Sequence, residues 1–167
     1  MLLSQRNAST MLEIPDGSAG TKATLNLMRS LVIDYRAHEA IRSLTASLVR
    51  DLKSKDYVGE VKAIHRYVRD SIRYLRDVHD VETIHTPDEI IFRKQGDCDD
   101  KSLLAATMLQ SIGHPVRFVA VGFVPDEFEH VYPETKIGDR WFSVETTEDV
   151  EIGWQPSGIR SRMVVHV

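Results

Sequence analysis

The alternation of polar and apolar positions changes period once along the chain, at Gly113. Ahead of it, apolar residues recur every three or four positions. In "TKATLNLMRSLVIDYRAHEAIRSLTASLVRDLKSKD" one stripe holds Leu25, Met28, Leu31, Val32 and Tyr35, and a second holds Ile41, Leu44, Leu48 and Leu52. Such spacing turns one face of a helix toward a core, so two helices are expected with a break near Ala37. "VGEVKAIHRYVRDSIRYLRD" places Val61, Ile64, Val68, Ile72 and Leu75 on one stripe with charges opposite, which predicts a third helix. Residues 1 to about 20 are polar and end in "IPDGSAG", where Pro, Asp and two Gly predict a turn or flexible lead, with order beginning near Thr21.

The segment "DVHDVETIHTPDEIIFRKQGD" has no sustained period and is read as a loop with a short helical turn after Pro87. "DCDDKSLLAATMLQSI" then carries a broad apolar band of Leu103, Leu104, Ala106, Thr107, Met108 and Ile112, with Asp97 as N-cap and Gly113 at the C-terminal end. Beyond Gly113, "PVRFVAVGF", "EHVYPETKI" and "RWFSVETTE" are β-branched and aromatic runs separated by "VPDEF" and "GD" turns. They predict an antiparallel meander, and "RMVVHV" offers a further strand. The expected architecture is α+β, a helical half packed on an antiparallel sheet, with residues 21–167 as one domain.

Composition narrows the function classes. With 42% hydrophobic and 28% charged residues in 167, the chain is expected to fold as a globular domain with a sizeable core. A formal charge of -4 gives no electrostatic reason to expect a nucleic-acid partner. No apolar run approaches the roughly 20 residues of a membrane span, and the opening residues lack a basic region followed by a long apolar one, so no signal peptide is read. The single Cys builds neither an internal disulfide nor a multi-thiolate zinc site, and a cytoplasmic place of synthesis is expected.

That cysteine, Cys98, stands in "QGDCDD" between Asp97 and the pair Asp99 and Asp100. Carboxylates oppose thiolate formation, so a reactive thiol here needs opposing positive potential. The helix N-terminus supplies part, and on an ideal helix Asp99 and Asp100 point about 100° and 200° away from Cys98, so neither need face the sulfur. A base is the other requirement. His38 and His65 read as ordinary surface or groove residues of their helices, His79 and His85 lie in the loop, His114 follows Gly113, and His166 is next to the end. His130 differs, because it opens a strand of the sheet against which the cysteine helix packs. On the next strand Glu145, 15 positions on, is placed to orient the imidazole. A turn centred near Gly138 pairs positions whose numbers sum to about 276, which sets His130 opposite residue 146 or so.

The order "GDCDDKSLLAATMLQSIGHPVRFVAVGF", then "EHVYPETKIGDRWFSVETT", resembles the core of the transglutaminase-like superfamily, a papain-like fold: Gly-x-Cys opening a helix that ends in Gly-x-Pro, a strand, a His strand, and a Trp-containing strand ending in an acidic residue before Thr. The resemblance covers about residues 94 to 147, and "VRDSIRYLRD" and "ETIHTPDEII" look like the small members of bacteria and their prophages. It implies Cys98 as nucleophile, His130 as base and Glu145 as the acidic residue, where the family more often has Asp. It also implies attack of the thiolate on an amide carbonyl, a thioester, and resolution by water or an amine. The backbone N–H of Cys98 is the first candidate oxyanion donor and Gln95, by proximity, the second. An aromatic often follows the family's His directly, whereas here Val131 and Tyr132 come next; Tyr132, with Trp154 of "GWQPSG", is expected to flank a substrate groove.

The function expected is therefore cysteine-dependent acyl transfer on a peptide or protein substrate, hydrolysis ahead of transamidation, with no metal or organic cofactor required. The rival is a structural or adaptor component of a phage particle that uses the fold to bind a partner such as other phage structural proteins, and would enter the virion. Other features have plain readings. The "DCDD" acids serve helix capping better than a cation site, lacking any EF-hand spacing. "HDVETIH" has no third zinc ligand in view, and Glu82, Thr86 and Asp88 are expected to fix the loop beneath the site. Trp141 is expected in the core.

Overall fold

A computed structural model describes residues 16–76 and 83–167. The expectations for residues 1–15, His79 and Glu82 fall outside the described residues.

Three amphipathic helices come first: α1 (Gly17–Tyr35), α2 (Glu39–Val49) and α3 (Tyr57–Ser71), and their stripes supply Leu25, Met28, Val32, Ile41, Val61, Ile64 and Val68 to the core. The first two differ from expectation only at one end. α1 begins at Gly17 instead of near Thr21, and Gly20 and Thr24 are already buried, so packing holds a helical turn that local composition would release. α3 differs more. It stops at Ser71, Ile72 turns extended, and Leu75 is exposed instead of continuing the stripe.

The cause of that stop is tertiary. The Lys101 ammonium, from a helix further along the chain, donates to the carbonyls of Arg69 (3.2 Å) and Ile72 (2.7 Å). The chain after Ile72 then forms β1 (Arg73–Tyr74), which runs parallel to β2 (Gln95–Gly96), a pairing no sequence pattern announced. Between them α4 (Pro87–Arg93) is the expected turn of helix, started by Pro87 and closed by Lys94 in the left-handed region, φ 54°. α5 (Cys98–Ser111) follows, with the Asp97 carboxylate accepting from the Asp100 N–H at 3.0 Å, the N-cap bond expected of it.

α5 is the central element. Every residue from Asp100 to Leu109 is buried, because α1, α2, α3 and α4 pack around it on one side and the sheet on the other. Small side chains at Ser102, Ala105 and Ala106 let those neighbours approach closely.

The sheet contains β3 (Val116–Gly122), β4 (His130–Ile137), β5 (Arg140–Ser143) and β6 (Ser161–His166) in the order β5-β4-β3-β6, antiparallel throughout. The first three make the expected meander, and β6 closes the other edge beside β3. The turn between β4 and β5 uses Gly138 at φ 60° as the first of two central residues, a conformation that favours Gly. Side chains alternate as a pleated strand demands: Phe118 and Ala120 join the main core, whereas Val119 and Val121 join a second cluster with Tyr132. Trp141 is a correction. It is half-buried outside the core, with the Arg117 guanidinium 4.3 Å from its ring and the His166 ring edge-on at 5.5 Å.

Candidate active site

The N-terminus of α5 and the start of β4 meet at a cleft of about 360 Å³. Its walls are Gly17, Gly20, Thr21, Thr24 and Leu25 of α1, Cys98 and Asp99 of α5, Ala120 of β3, and residues 128–131 leading into β4. Two of the three residues singled out from sequence, Cys98 and His130, therefore line one cavity. The third stands behind the imidazole: His130 Nε2 lies 2.6 Å from Glu145 Oε2.

The geometry of Glu145 fixes its charge state. Burial alone would push its carboxyl up, but the hydrogen bond and charge of His130, together with the donors of Thr147, outweigh that and hold it below the ordinary carboxylate range. Its Oε1 accepts from the Thr147 N–H (2.7 Å) and hydroxyl (2.6 Å), so both oxygens are engaged. An ionised carboxylate can only accept, so His130 donates to Glu145 from Nε2, and Nδ1 is the ring nitrogen not engaged by Glu145.

Cys98 is the opposite case. Burial raises its thiol well above the ordinary range, the Asp99 and Asp97 carboxylates raise it further, and backbone hydrogen bonds from Val131 and Asp99 only partly oppose them. The thiol donates to Asp99 Oδ1 at 3.8 Å. This corrects the helical-wheel expectation that Asp99 need not face the sulfur: a side chain one position on still reaches back to the thiol in the first turn. Among the described residues no hydrogen bond joins Cys98 to His130, although both line the same cavity.

The remaining acids of "DCDD" have separate tasks. Asp97 caps α5, while Asp100, 1% exposed, accepts from the backbone N–H of His85 (2.9 Å) and from its Nδ1 (2.8 Å). Arg93 in turn donates to His85 Nε2 at 3.0 Å and to Glu89 at 2.8 Å. The loop ahead of α4 is thus tied to the cysteine helix by His85 and Asp100. Thr86 makes no side-chain cap bond, and Asp88 Oδ1 has no hydrogen-bond partner among the described residues.

Three expected site residues lie away from the cleft. The Gln95 carboxamide oxygen accepts from Arg73 at 3.1 Å and the residue does not line the cavity. Tyr132 is 1% exposed in the second cluster, its ring 6.0 Å from that of His130, so it packs beside the imidazole instead of walling a groove. Trp154 is 40% exposed, and its carbonyl accepts from the Ser143 hydroxyl at the β5 edge of the sheet. The walls supplied by α1 went unread, because nothing in the stripe of an amphipathic helix says that its first turns will face a thiol.

Two buried groups were also missed. His65, expected on the surface or in a groove, is fully buried on α3, with Nε2 2.6 Å from the backbone carbonyl of Glu145. Lys101, one turn beyond Cys98, is 2% exposed. Thr147 was legible in principle, since a Thr two positions after an acid is a common local donor to it.

The sequence model of the transglutaminase-like superfamily matches residues 42–146, and the chain belongs to that superfamily. No curated protein matches it. Among solved structures, a proposed protease from Parabacteroides distasonis superposes with a TM-score of 0.64 at 15% identity, over 87% of this chain and 29% of that one. A proposed cysteine protease from Cytophaga hutchinsonii gives 0.56 at 15% identity, over 83% of this chain and 50% of that one. The α+β, papain-like architecture is thus shared, and this chain spans half or less of the length of those two proteins.

Proposed function

We propose that the protein is a cysteine-dependent acyltransferase acting on amide or peptide bonds, with hydrolysis favoured over transamidation. The observation that carries this reading is the His130–Glu145 hydrogen bond at the edge of the cleft that Cys98 lines. Nδ1 of His130 takes the thiol proton as Cys98 attacks the carbonyl carbon. The tetrahedral oxyanion is stabilised by the Cys98 N–H, one of the first-turn donors that has no intrahelical partner. The imidazolium then returns the proton to the leaving amine, a thioester remains on Cys98, and water resolves it with His130 again as base.

The raised thiol pKa favours a mechanism in which proton transfer accompanies attack on bound substrate, because no standing thiolate is stabilised in the free site. The same observation favours a second reading, an adaptor that keeps the fold to bind a protein partner without turnover. Neither the fold nor the comparisons support placing that partner in a phage particle. Incubation with cell-wall peptides, casein and a glutamine donor separates the readings. Cleavage or transfer lost in both Cys98→Ala and His130→Ala supports the enzyme, and activity retained in either variant overturns it.

A further inference from the structure

We propose that His65 is a positioning residue for this centre: from α3 its Nε2–H holds the backbone carbonyl of Glu145 and so fixes the point from which the Glu145 carboxylate reaches His130. The inference rests on the reading of Cys98, His130 and Glu145 as the acyl-transfer centre.

Glu145 needs such a hold. β5 ends at Ser143, and the last main-chain bond to β4 on this side is from the Val144 N–H to the Pro133 carbonyl, at 2.8 Å. Beyond it the strand ladder no longer restrains the backbone. Thr147 fixes the carboxylate from its own loop, but that loop would move with it. His65 ties the Glu145 main chain, as distinct from its carboxylate, to a different element, at 2.6 Å.

The placement of His65 is hard to explain as packing alone. Its neighbours along the buried stripe of α3 are Val61, Ile64 and Val68, all fully buried, and a leucine would suit that stripe. A neutral imidazole that donates from Nε2 leaves Nδ1 as a bare acceptor, and Nδ1 has no hydrogen-bond partner among the described residues. An unsatisfied buried polar atom destabilises the fold, and such losses concentrate where a local rule is broken for function. Burial holds the imidazole below its ordinary pKa, against the hydrogen bond to Glu145; Arg69 also lowers it, while Glu151 and Asp70 pull upward. The neutral, single-donor form follows.

α3 is itself anchored to the helix that carries the nucleophile. Lys101 of α5 holds the Arg69 and Ile72 carbonyls at the end of α3, one and two turns past His65. Cys98, which lines the cleft, and Glu145, which stands behind His130, are thereby referenced to the same pair of helices.

The test combines the wild-type protein with His65→Gln, whose amide nitrogen reaches where Nε2 did, and His65→Leu, which keeps volume and removes the donor. Nitrogen NMR of the wild-type imidazoles should show His65 protonated at Nε2 only; protonation at Nδ1 instead overturns the proposal. His65→Leu should shift the NMR titration of the His130 imidazole and lower kcat about tenfold to a hundredfold with KM unchanged, while His65→Gln stays close to wild type in both. A His130 titration unchanged in His65→Leu, or His65→Gln impaired as much as His65→Leu, overturns it. If His65→Leu does not fold, His65→Asn, whose amide is too short to reach the carbonyl, takes its place with the same outcomes expected. The tautomer and the His130 titration need no turnover, so they decide the role of His65 even if the amide-cleavage reading fails.

Discussion

His130 and Glu145 hydrogen-bond at 2.6 Å although neither lies opposite the other in the strand register. The β4–β5 pairs, such as Glu134 with Ser143 and Ile137 with Arg140, have numbers summing to 277, and His130 with Glu145 falls two short of that. Counted on past Ser143, where β5 ends, a difference of two still assigns both positions to the same face, because the side-chain period of extended chain is two. The expected sum of 276 would have put Glu145 one position out of register and so on the other face. The diagonal suits a long carboxylate, which explains how Glu serves where the family more often has Asp.

Glu145→Gln keeps the shape but replaces an acceptor by a group that can also donate, which destabilises the Nε2–H tautomer of His130. Amide cleavage is expected to fall by about 10²–10⁴-fold, measured as kcat/KM on whichever acyl donor is turned over. The same carboxylate has a folded-state pKa below its unfolded one, so its contribution to stability is present above the ordinary carboxylate range and is lost as pH falls through the lowered value. Denaturant midpoints from pH 6 down to 3 should fall more steeply for wild type than for Glu145→Gln.

Asp99 faces the thiol and raises its pKa, second only to burial. Asp99→Asn should therefore speed iodoacetamide alkylation of Cys98 at pH 8, by about threefold to tenfold for a fall of half to one pKa unit. An unchanged rate would mean that the carboxylate does not control the thiol.

Lys101 is pushed down to about 8, chiefly by burial. Between that value and the ordinary lysine range the unfolded chain holds a proton that the folded chain does not, so stability rises with pH across this window. The gain is at most about 3–4 kcal/mol. Above pH 9 the raised thiol of Cys98 acts the other way, so the comparison is made in a Cys98→Ala background. There, urea unfolding between pH 7.5 and 10.5 should show the rise, and adding Lys101→Met should flatten it.

Gly122 closes β3, and a Cβ there would lie 1.7 Å from the backbone oxygen of Glu127. The connection that must move carries Phe128 and Glu129 into the cleft wall. Gly122→Ala should cost about 1–3 kcal/mol by thermal unfolding and weaken substrate binding, while Gly113→Ala, with open space but φ 93°, should cost stability alone.

Much of this was legible in local pattern. The three helical stripes, the Asp97 cap, the Pro87 turn and the strands after Gly113 follow from periods and capping chemistry that act within a few residues. Cys98, His130 and Glu145 stood out because a thiol, a strand histidine and a strand acid in that order suit nucleophilic chemistry. What escaped depends on contacts between distant segments. The end of α3 meets an ammonium from Lys101, the pairing of β1 with β2 joins segments some 20 residues apart, and Trp141 lies outside the core against Arg117.

The sequence by itself determined the five helices, the strands of the four-stranded sheet and their order, and it singled out the three residues of the candidate centre, since those depend on periodicity and side-chain chemistry carried by each short stretch. Only the tertiary structure decided that α1 walls the cleft, that Asp99 meets the sulfur, and that His65, read as a surface or groove residue, reaches the carbonyl of Glu145 from inside the core. These relations follow from how helices and sheet pack in three dimensions, and burial then sets the protonation of the thiol, the lysine and the histidine that packing brings together.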